Sequence, residues 1–255
     1  MPFDLITIPC LSDNYAYLLR DGETGAVAVI DVPDAAPIKA ELLARGWTLS
    51  QVWLTHHHWD HVDGLADLLA DHPAQVVGAK ADAHRLPALD IAVSEGDTVQ
   101  LGGLEAEILD VSGHTINHIA FYVVAAQACF TADSLMALGC GRLFEGTPAQ
   151  MWDSMQKLMA LPPETTLCSG HEYTASNAKF ALTVDPGNTA LISRSNEIMT
   201  ARAKGQPTVP TSLATELETN PFLRPDDPGI RATLGMPTAS DTEVFTEIRR
   251  RKDVF

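Results

Sequence analysis

The chain has 255 residues, 45% of them hydrophobic, with 17 Lys and Arg against 33 Asp and Glu for a formal net charge of −16. That length accommodates one large domain or a main domain with a smaller companion, and the apolar share suits a globular protein with a sizeable core. A surface this acidic repels phosphate backbones and argues against general nucleic-acid binding, while the lack of any apolar run of about 18 residues predicts no membrane span.

The opening "MPFDLITIPCLSDNY" has no basic region ahead of a long apolar run, so it does not read as a signal peptide and the expected location is the cytoplasm. "FDLITIP", "YAYLLRD" and "AVAVIDV" read as strands separated by Asn, Asp and Gly turns, and "DAAPIKAELLARG" as a helix. "QVWLT" is the next strand. "DHVDGLADLLADH" then reads as one helix with Val62, Leu65, Leu68 and Leu69 on one face. Strands follow at "AQVVGA", "EAEILDV", "HIAFYVV" and "ACFTAD", then a helix in "TPAQMWDSMQKLMALP" that Pro162 and Pro163 end. Strand runs with helices between them predict layered packing, with stacked sheets and helices outside.

From residue 174 the character changes. "NTALISRSNEIMTARAKG" predicts a helix capped by Asn188 and stopped by Gly205, "TSLATELE" and "DTEVFTEIRRRKD" predict shorter ones, and no strong strand signal remains. The expected division is therefore 1–173 and a mostly helical 174–255. Cys10, Cys129, Cys140 and Cys168 have no CxxC spacing and mostly lie in or beside apolar runs, which predicts buried free thiols.

The chemistry concentrates at "QVWLTHHHWDHVDGL", residues 51–65. In an extended segment His56 and His58 share a face and His57 points the other way, while Asp60 and His61 follow where the chain turns into a helix. Solvated surface histidines are the bland alternative. A strand-to-helix edge this polar is rarely accidental, and imidazole with carboxylate is the ligand set of zinc, iron or manganese. More ligands are expected at other strand ends: His114 in "VSGHTINH", Asp133 in "FTADSL" and His171 in "CSGHEY". Singly, a histidine after a strand is more often structural; together with HxHxDH the three complete a set. His57, His72, His84 and His118 are left with no expected metal role. Five histidines and two aspartates exceed the needs of one tetrahedral ion. Two ions sharing Asp133 use them all, with His56, His58 and His114 on one and Asp60, His61 and His171 on the other, the arrangement of a hydrolase.

The order THxHxDH, GHT, strand-end Asp and GHEY resembles the metallo-β-lactamase superfamily. "GCGRLFEGTPAQMWDSM", "LPPETTLCSGHEYTASNAKFA", "DPGN", "PTVPTSLATE", "NPFLR" and "RRRKD" resemble, more narrowly, the glyoxalase II (hydroxyacylglutathione hydrolase) family, over nearly the whole chain. The resemblance implies an α+β fold, a four-layer αββα sandwich followed by a small helical domain that binds the glutathione substrate. It implies hydrolysis of S-D-lactoylglutathione to D-lactate and glutathione, the second step of methylglyoxal detoxification, by a hydroxide held between two divalent ions, zinc ahead of iron or manganese. It gives catalytic roles to His58, Asp60 and Asp133, and substrate contacts to Arg142, Tyr173, Arg249 and Lys252. The partner expected is thus a small glutathione thioester, with no nucleic acid or membrane, and nothing demands more than a monomer.

The residues agree with that picture on their own terms. Glutathione carries two carboxylates, and "RRRKD" at 249–253 is the densest basic cluster of an acidic chain. The competing reading is that these cations only complement the negative end of the last helix. Asp31, at the end of "AVAVID", is a candidate acceptor for an outer ring nitrogen of a ligand histidine. Two positions depart from the family: Phe144, where many relatives carry Tyr, and Asn117, where Gly is usual and a left-handed backbone is expected. The main rival is a persulfide dioxygenase of the same superfamily, an iron oxidoreductase acting on glutathione persulfide without the second metal site. The presence of Asp60, His61, Asp133 and His171 and the long tail favour the thioesterase.

Overall fold

The computed structural model describes residues 2–255, which form two compact units. The first is the chain as far as Asp110 together with Asn117–Ala132; the second is Val111–Ile116 with Asp133–Phe255.

In the first unit six strands lie in chain order: β1 (Phe3–Cys10), β2 (Asn14–Asp21), β3 (Val27–Ile30), β4 (Gln51–Trp53), β5 (Gln75–Ala79) and β6 (Ile91–Val93). The first three pair antiparallel and β3 to β6 run parallel. Parallel neighbours need a crossover. Helix α1 (Ala35–Arg45) supplies the first, capped by the Asp34 carboxylate on Ala36 N (2.9 Å) and ended by Gly46 at φ 66°. A second group of strands, β7 (Thr98–Leu101), β8 (Leu104–Asp110), β9 (Ile119–Val123) and β10 (Ala128–Ala132), pairs antiparallel in the order β10-β9-β8-β7. Inner faces of the two sets meet where Trp53 stacks on Phe121 (centroids 4.9 Å) and Tyr17 tilts on Phe130 (5.8 Å), all buried. β-branched Val and Ile, whose shapes suit a pleated surface, recur through β3, β5 and β9.

The expected single helix over 60–72 is instead two: α2 (Trp59–Val62) and α3 (Leu65–Asp71). Gly64 lies at the break because its backbone touches the segment leading into α1. A Cβ there would stand 2.8 Å from Ala35 N and 2.9 Å from the Val32 carbonyl. Leu65 and Leu68 are buried, whereas Val62 and Leu69 are only half-buried. Strands β6 and β7 carried no sequence signal strong enough to predict, being three and four residues long.

The second unit holds the hairpin β11 (Leu135–Met136) and β12 (Gly139–Cys140), the pair β13 (Thr166–Ser169) and β14 (Thr211–Ser212), and six helices: α4 (Pro148–Met159), α5 (Thr174–Val184), α6 (Thr189–Ala203), α7 (Leu213–Thr219), α8 (Pro228–Leu234) and α9 (Asp241–Asp253). The short β14 corrects the expectation of no strand after residue 174. The caps expected for α6 are present: Asn188 accepts from Leu191 N (3.0 Å), and Gly205 follows with φ 69°. Helix α5 was not predicted. Its buried face mixes Thr174, Asn177, Ala178, Phe180, Ala181 and Val184, too few of them large and apolar to show a helical period.

Buried polar groups of α7 brace the hairpin. Glu216 is fully buried, accepts from Leu138 N (2.8 Å) and Asn220 Nδ2 (3.0 Å), and is ion-paired with Arg194. The Asn220 amide also donates to the carbonyls of Met136 and Gly139, each at 3.1 Å. A buried carboxylate with this many partners is stable only as a complete set. All four cysteines are buried free thiols, as expected.

Candidate metal centre

In the first unit the chain leaves β4 extended through Leu54–His58 and enters α2 at Trp59, with His58 as N-cap residue at φ −60° and ψ 142°. The alternation expected of an extended segment is seen. The His56 and His58 rings are 4.8 Å apart, the His61 ring is 4.2 Å from His56, and His57 turns to the buried Asp82 (Nδ1 to Oδ2, 2.9 Å). Ligand atoms of Asp31, His56 and His61 all lie within 4.8 Å of one another. Asn14 holds Asp60, donating to its Oδ2 (3.1 Å) and its carbonyl (3.0 Å).

Asp31 orders these groups. It is buried, sits at φ 57°, and accepts from Thr55 N (2.9 Å), the Thr55 hydroxyl (2.8 Å) and His61 Nδ1 (2.7 Å). A carboxylate can only accept, so the proton of His61 is on Nδ1. Because the Thr55 hydroxyl gives its hydrogen to Asp31, its oxygen accepts from His56 Nδ1, 3.0 Å away. Both rings are thereby set in the tautomer that offers Nε2 as a lone pair, the usual state of a metal-binding histidine.

The second unit carries His114, Asp133 and His171, each no more than 5% exposed. Nε2 of His114 and Nε2 of His171 lie 3.4 and 3.2 Å from one oxygen, Asp133 Oδ2. His114 Nδ1 donates to the Arg142 carbonyl (2.7 Å), so it too presents Nε2. Gly141 allows this closeness: a Cβ there would fall 1.9 Å from the Asp133 carbonyl and 2.9 Å from His114 Nδ1. Asn117 and Ala132, at φ 67° and 40°, adopt the left-handed backbone within three residues of His114 and beside Asp133. For Asn117 that is the conformation expected from its sequence position. Uncommon backbone of this kind persists where surrounding structure holds it.

The four residues expected to meet substrate all belong to the second unit. Tyr173 is 41% exposed and stacks parallel on His171 (4.7 Å, 5°). Arg142 is exposed, its Nε 3.6 Å from Asp253. Lys252 stands over the rings of Phe180 and Phe255 (5.4 and 5.3 Å), 3.4 Å from the Ser176 hydroxyl. Burial, aided by the nearby Arg249 charge, pushes its ammonium down to about 8. Arg249 differs from the others, being 6% exposed with its guanidinium turned to the Cys140 carbonyl and Asp253. Phe144 lies edge-on to the His114 ring (5.3 Å) and is 61% exposed.

Sequence reasoning passed over His118. It is fully buried, and its ring stacks on His56 (4.6 Å, 17°), brought there by Ile119 N donating to the Thr55 carbonyl (3.0 Å). Lying at the head of the apolar run "HIAFYVV", it gave no cue beyond burial.

Residues 12–171 match the family described as the metallo-beta-lactamase superfamily, and residues 172–255 match the hydroxyacylglutathione hydrolase C-terminus. The chain is 64% identical to hydroxyacylglutathione hydrolase of Ruegeria pomeroyi and 63% identical to that of Roseobacter denitrificans, in both cases covering 100% of each chain. The chain belongs to the hydroxyacylglutathione hydrolase family. Its fold is the metallo-β-lactamase fold followed by the family's helical C-terminal region, an α+β architecture. Among solved structures it is similar to ETHE1 from Myxococcus xanthus, with TM-score 0.67, 26% identity, and coverage of 98% of this chain and 90% of that one. The His/Asp clusters suit a binuclear metal site of this family. No helix among the described residues is long and apolar enough to cross a membrane.

Proposed function

We propose that the chain hydrolyses S-D-lactoylglutathione and related 2-hydroxyacylglutathione thioesters to the hydroxy acid and glutathione, in cytoplasmic methylglyoxal detoxification. The observation that carries this reading is the full-length match to hydroxyacylglutathione hydrolases, through a C-terminal region specific to that family. In this reading residues 1–173 are the catalytic domain, and 174–255 recognise the glutathionyl part of the substrate.

His56, His58 and His114 would hold one divalent ion, and Asp60, His61 and His171 the other, with Asp133 shared. Zinc fits the nitrogen-rich set, and iron or manganese are the alternatives. The donors fit such ions by their tautomers: His56, His61 and His114 each have Nδ1 bonded to an acceptor, leaving Nε2 to bind. When bound, the ions supply an acidified water and Lewis-acid stabilisation of the developing oxyanion. Asp60, fixed by Asn14, accepts a hydrogen bond that orients the attacking water. The leaving thiolate departs without a dedicated general acid, since its conjugate acid has a pKa near about 8.5. Arg142, Tyr173, Arg249 and Lys252 would meet the glutathionyl carboxylates and backbone.

The test is a thioester-loss assay on purified protein of known metal content, with S-D-lactoylglutathione. Rapid turnover with about two ions per chain is expected. A fully loaded protein that leaves the thioester intact, and consumes oxygen with glutathione persulfide, would overturn the reading in favour of the dioxygenase.

A pH dependence follows from Lys252. Its ammonium is charged below about 8 and loses its proton as the pH rises through that value, so the contact to a substrate carboxylate is lost on the alkaline side. Charge-assisted hydrogen bonds contribute about 1.5–3 kcal/mol. We therefore expect KM to rise about tenfold between pH 7 and 9.5, beyond any change in Lys252→Met, whose KM is already high at pH 7. Parallel KM profiles for the two proteins would remove Lys252 from substrate binding.

A further inference from the structure

We infer that Phe255, working with Phe180, is a positioning residue for Lys252: the two rings and the Ser176 hydroxyl hold the ammonium in one place, ready for a carboxylate of the substrate. The inference rests on the reading above for what Lys252 meets, and its geometry lies wholly within the second unit.

A lysine stem is flexible, and fixing it in one rotamer costs free energy when a ligand binds. Here the stem is already fixed. Nζ of Lys252 stands over the Phe180 ring at 5.4 Å and over the Phe255 ring at 5.3 Å, and donates to the Ser176 hydroxyl at 3.4 Å. The two rings meet edge to face, with centroids 5.5 Å apart and planes at 68°. An ammonium over a ring face is drawn by the ring quadrupole, more strongly as water is kept away. An ammonium has three donors, so the one given to Ser176 leaves two for an anion. Ordering the group beforehand lowers the cost of binding.

Helical spacing builds this arrangement. Ser176 and Phe180 lie four positions apart on α5 and so share a face, while Lys252 and Phe255 lie three apart where α9 ends. Phe180 is 1% exposed and stacks on Phe222 (6.1 Å), so the core fixes its ring. Phe255 is 61% exposed and forms the outer wall. Burial among these groups is the main reason that the ammonium is pushed down to about 8, with the Arg249 charge adding to it.

The charges nearby leave the ammonium without a carboxylate of its own. On α9, Arg250 and Arg251 pair with Glu247, and Asp253 is shared by Arg249 and Arg142. On α5 the one ionisable side chain is Lys179, which is exposed, and Tyr173 ahead of it stacks on His171. Rings in place of a carboxylate hold the cation while leaving its charge for a ligand.

The test compares the metal-loaded protein with its Phe255→Ala, Phe255→Leu and Phe255→Tyr variants. KM and kcat for S-D-lactoylglutathione are measured across the alkaline range, and the Lys252 titration is followed separately by NMR of its Cε methylene, assigned with Lys252→Met. Phe255→Ala removes the ring and admits water. We expect its KM at neutral pH to rise about three- to tenfold with kcat within about twofold of the original. Its alkaline rise in KM, and the Cε titration with it, should move up by about one unit toward the ordinary lysine value of about 10.4. Phe255→Leu keeps an apolar cover without the quadrupole, so its KM should rise while the titration stays low; Phe255→Tyr should restore both. A Phe255→Ala protein with KM and titration unchanged would overturn the inference, as would a fall in kcat at constant KM. The original KM in Phe255→Leu would overturn the role given to the ring. If Phe255→Ala does not fold, Phe255→Leu decides. If the unaltered protein does not turn over this thioester, the functional reading fails, yet the Cε titrations still test whether the rings hold the ammonium.

Discussion

Asp133→Ala is expected to lose at least a thousandfold in kcat and to retain one metal ion or fewer per chain. The reason is that two histidine nitrogens, one from the "GHT" loop and one from the "GHEY" loop, converge on the same oxygen of this carboxylate. In the proposed binuclear reading, removing it deletes the shared ligand and the negative charge that would offset two divalent ions. A thousandfold corresponds to about 4 kcal/mol of transition-state stabilisation, within what metal-centred electrostatics supply. Asp133→Asn keeps the shape while losing the charge, and should be nearly as inactive. The apoprotein should not be destabilised by more than about 1–2 kcal/mol, because removing a buried charge relieves a desolvation cost along with its contacts. Metal analysis and turnover on the same sample check the claim; two ions and kcat within tenfold of the original would exclude Asp133 as the bridge.

Asp31→Ala is the second large effect, and it reaches both stability and metal. Three donors meet this carboxylate: Thr55 N, the Thr55 hydroxyl and His61 Nδ1. Each buried donor left unmet costs about 1–3 kcal/mol, with the hydroxyl best able to rotate elsewhere. Alanine also loses on the backbone, since φ 57° is tolerated better by Asp, whose short polar side chain can bond locally, than by Ala. A loss of about 3–5 kcal/mol is expected, read as a fall in Tm of roughly 6–20 °C for a chain of this size. Independently of stability, the tautomers of His61 and His56 are no longer set, and affinity for metal should weaken about 10–100-fold. Asp31→Asn keeps an acceptor oxygen for the Thr55 donors and should recover most of the Tm while leaving metal affinity low. Equal recovery of both would mean that Asp31 acts on the fold alone.

The legibility of this chain divides by the range of the interactions involved. The HxHxDH stretch could be read directly because strand alternation places His56 beside His58 within three residues, and the ring separation agrees. The caps of α6 were legible for the same reason, since Asn188 bonds a backbone group three residues away. Asn117 at a left-handed position is likewise a property of one residue's own backbone. Such features depend on covalent geometry and neighbours, which any sequence displays.

The break in the 59–71 helix depends on Val32 and Ala35 pressing against Gly64, a contact across some 30 positions that leaves no periodic trace. His118 came to lie on His56 only because β9 docks beside the segment after β4. The basic "RRRKD" was readable as charge but not as purpose: composition counts four cations, while packing turns Arg249 inward, pairs Arg250 and Arg251 with Glu247, and leaves Lys252 between aromatic rings. The sequence by itself determined the local elements and the kinds of ligand atom available, because these follow from backbone periodicity and side-chain chemistry. Which nitrogen His61 and His114 offer, and which arginine of the cluster turns inward, only the tertiary structure decided, because each depends on a hydrogen-bond partner that the chain brings back from far along its length.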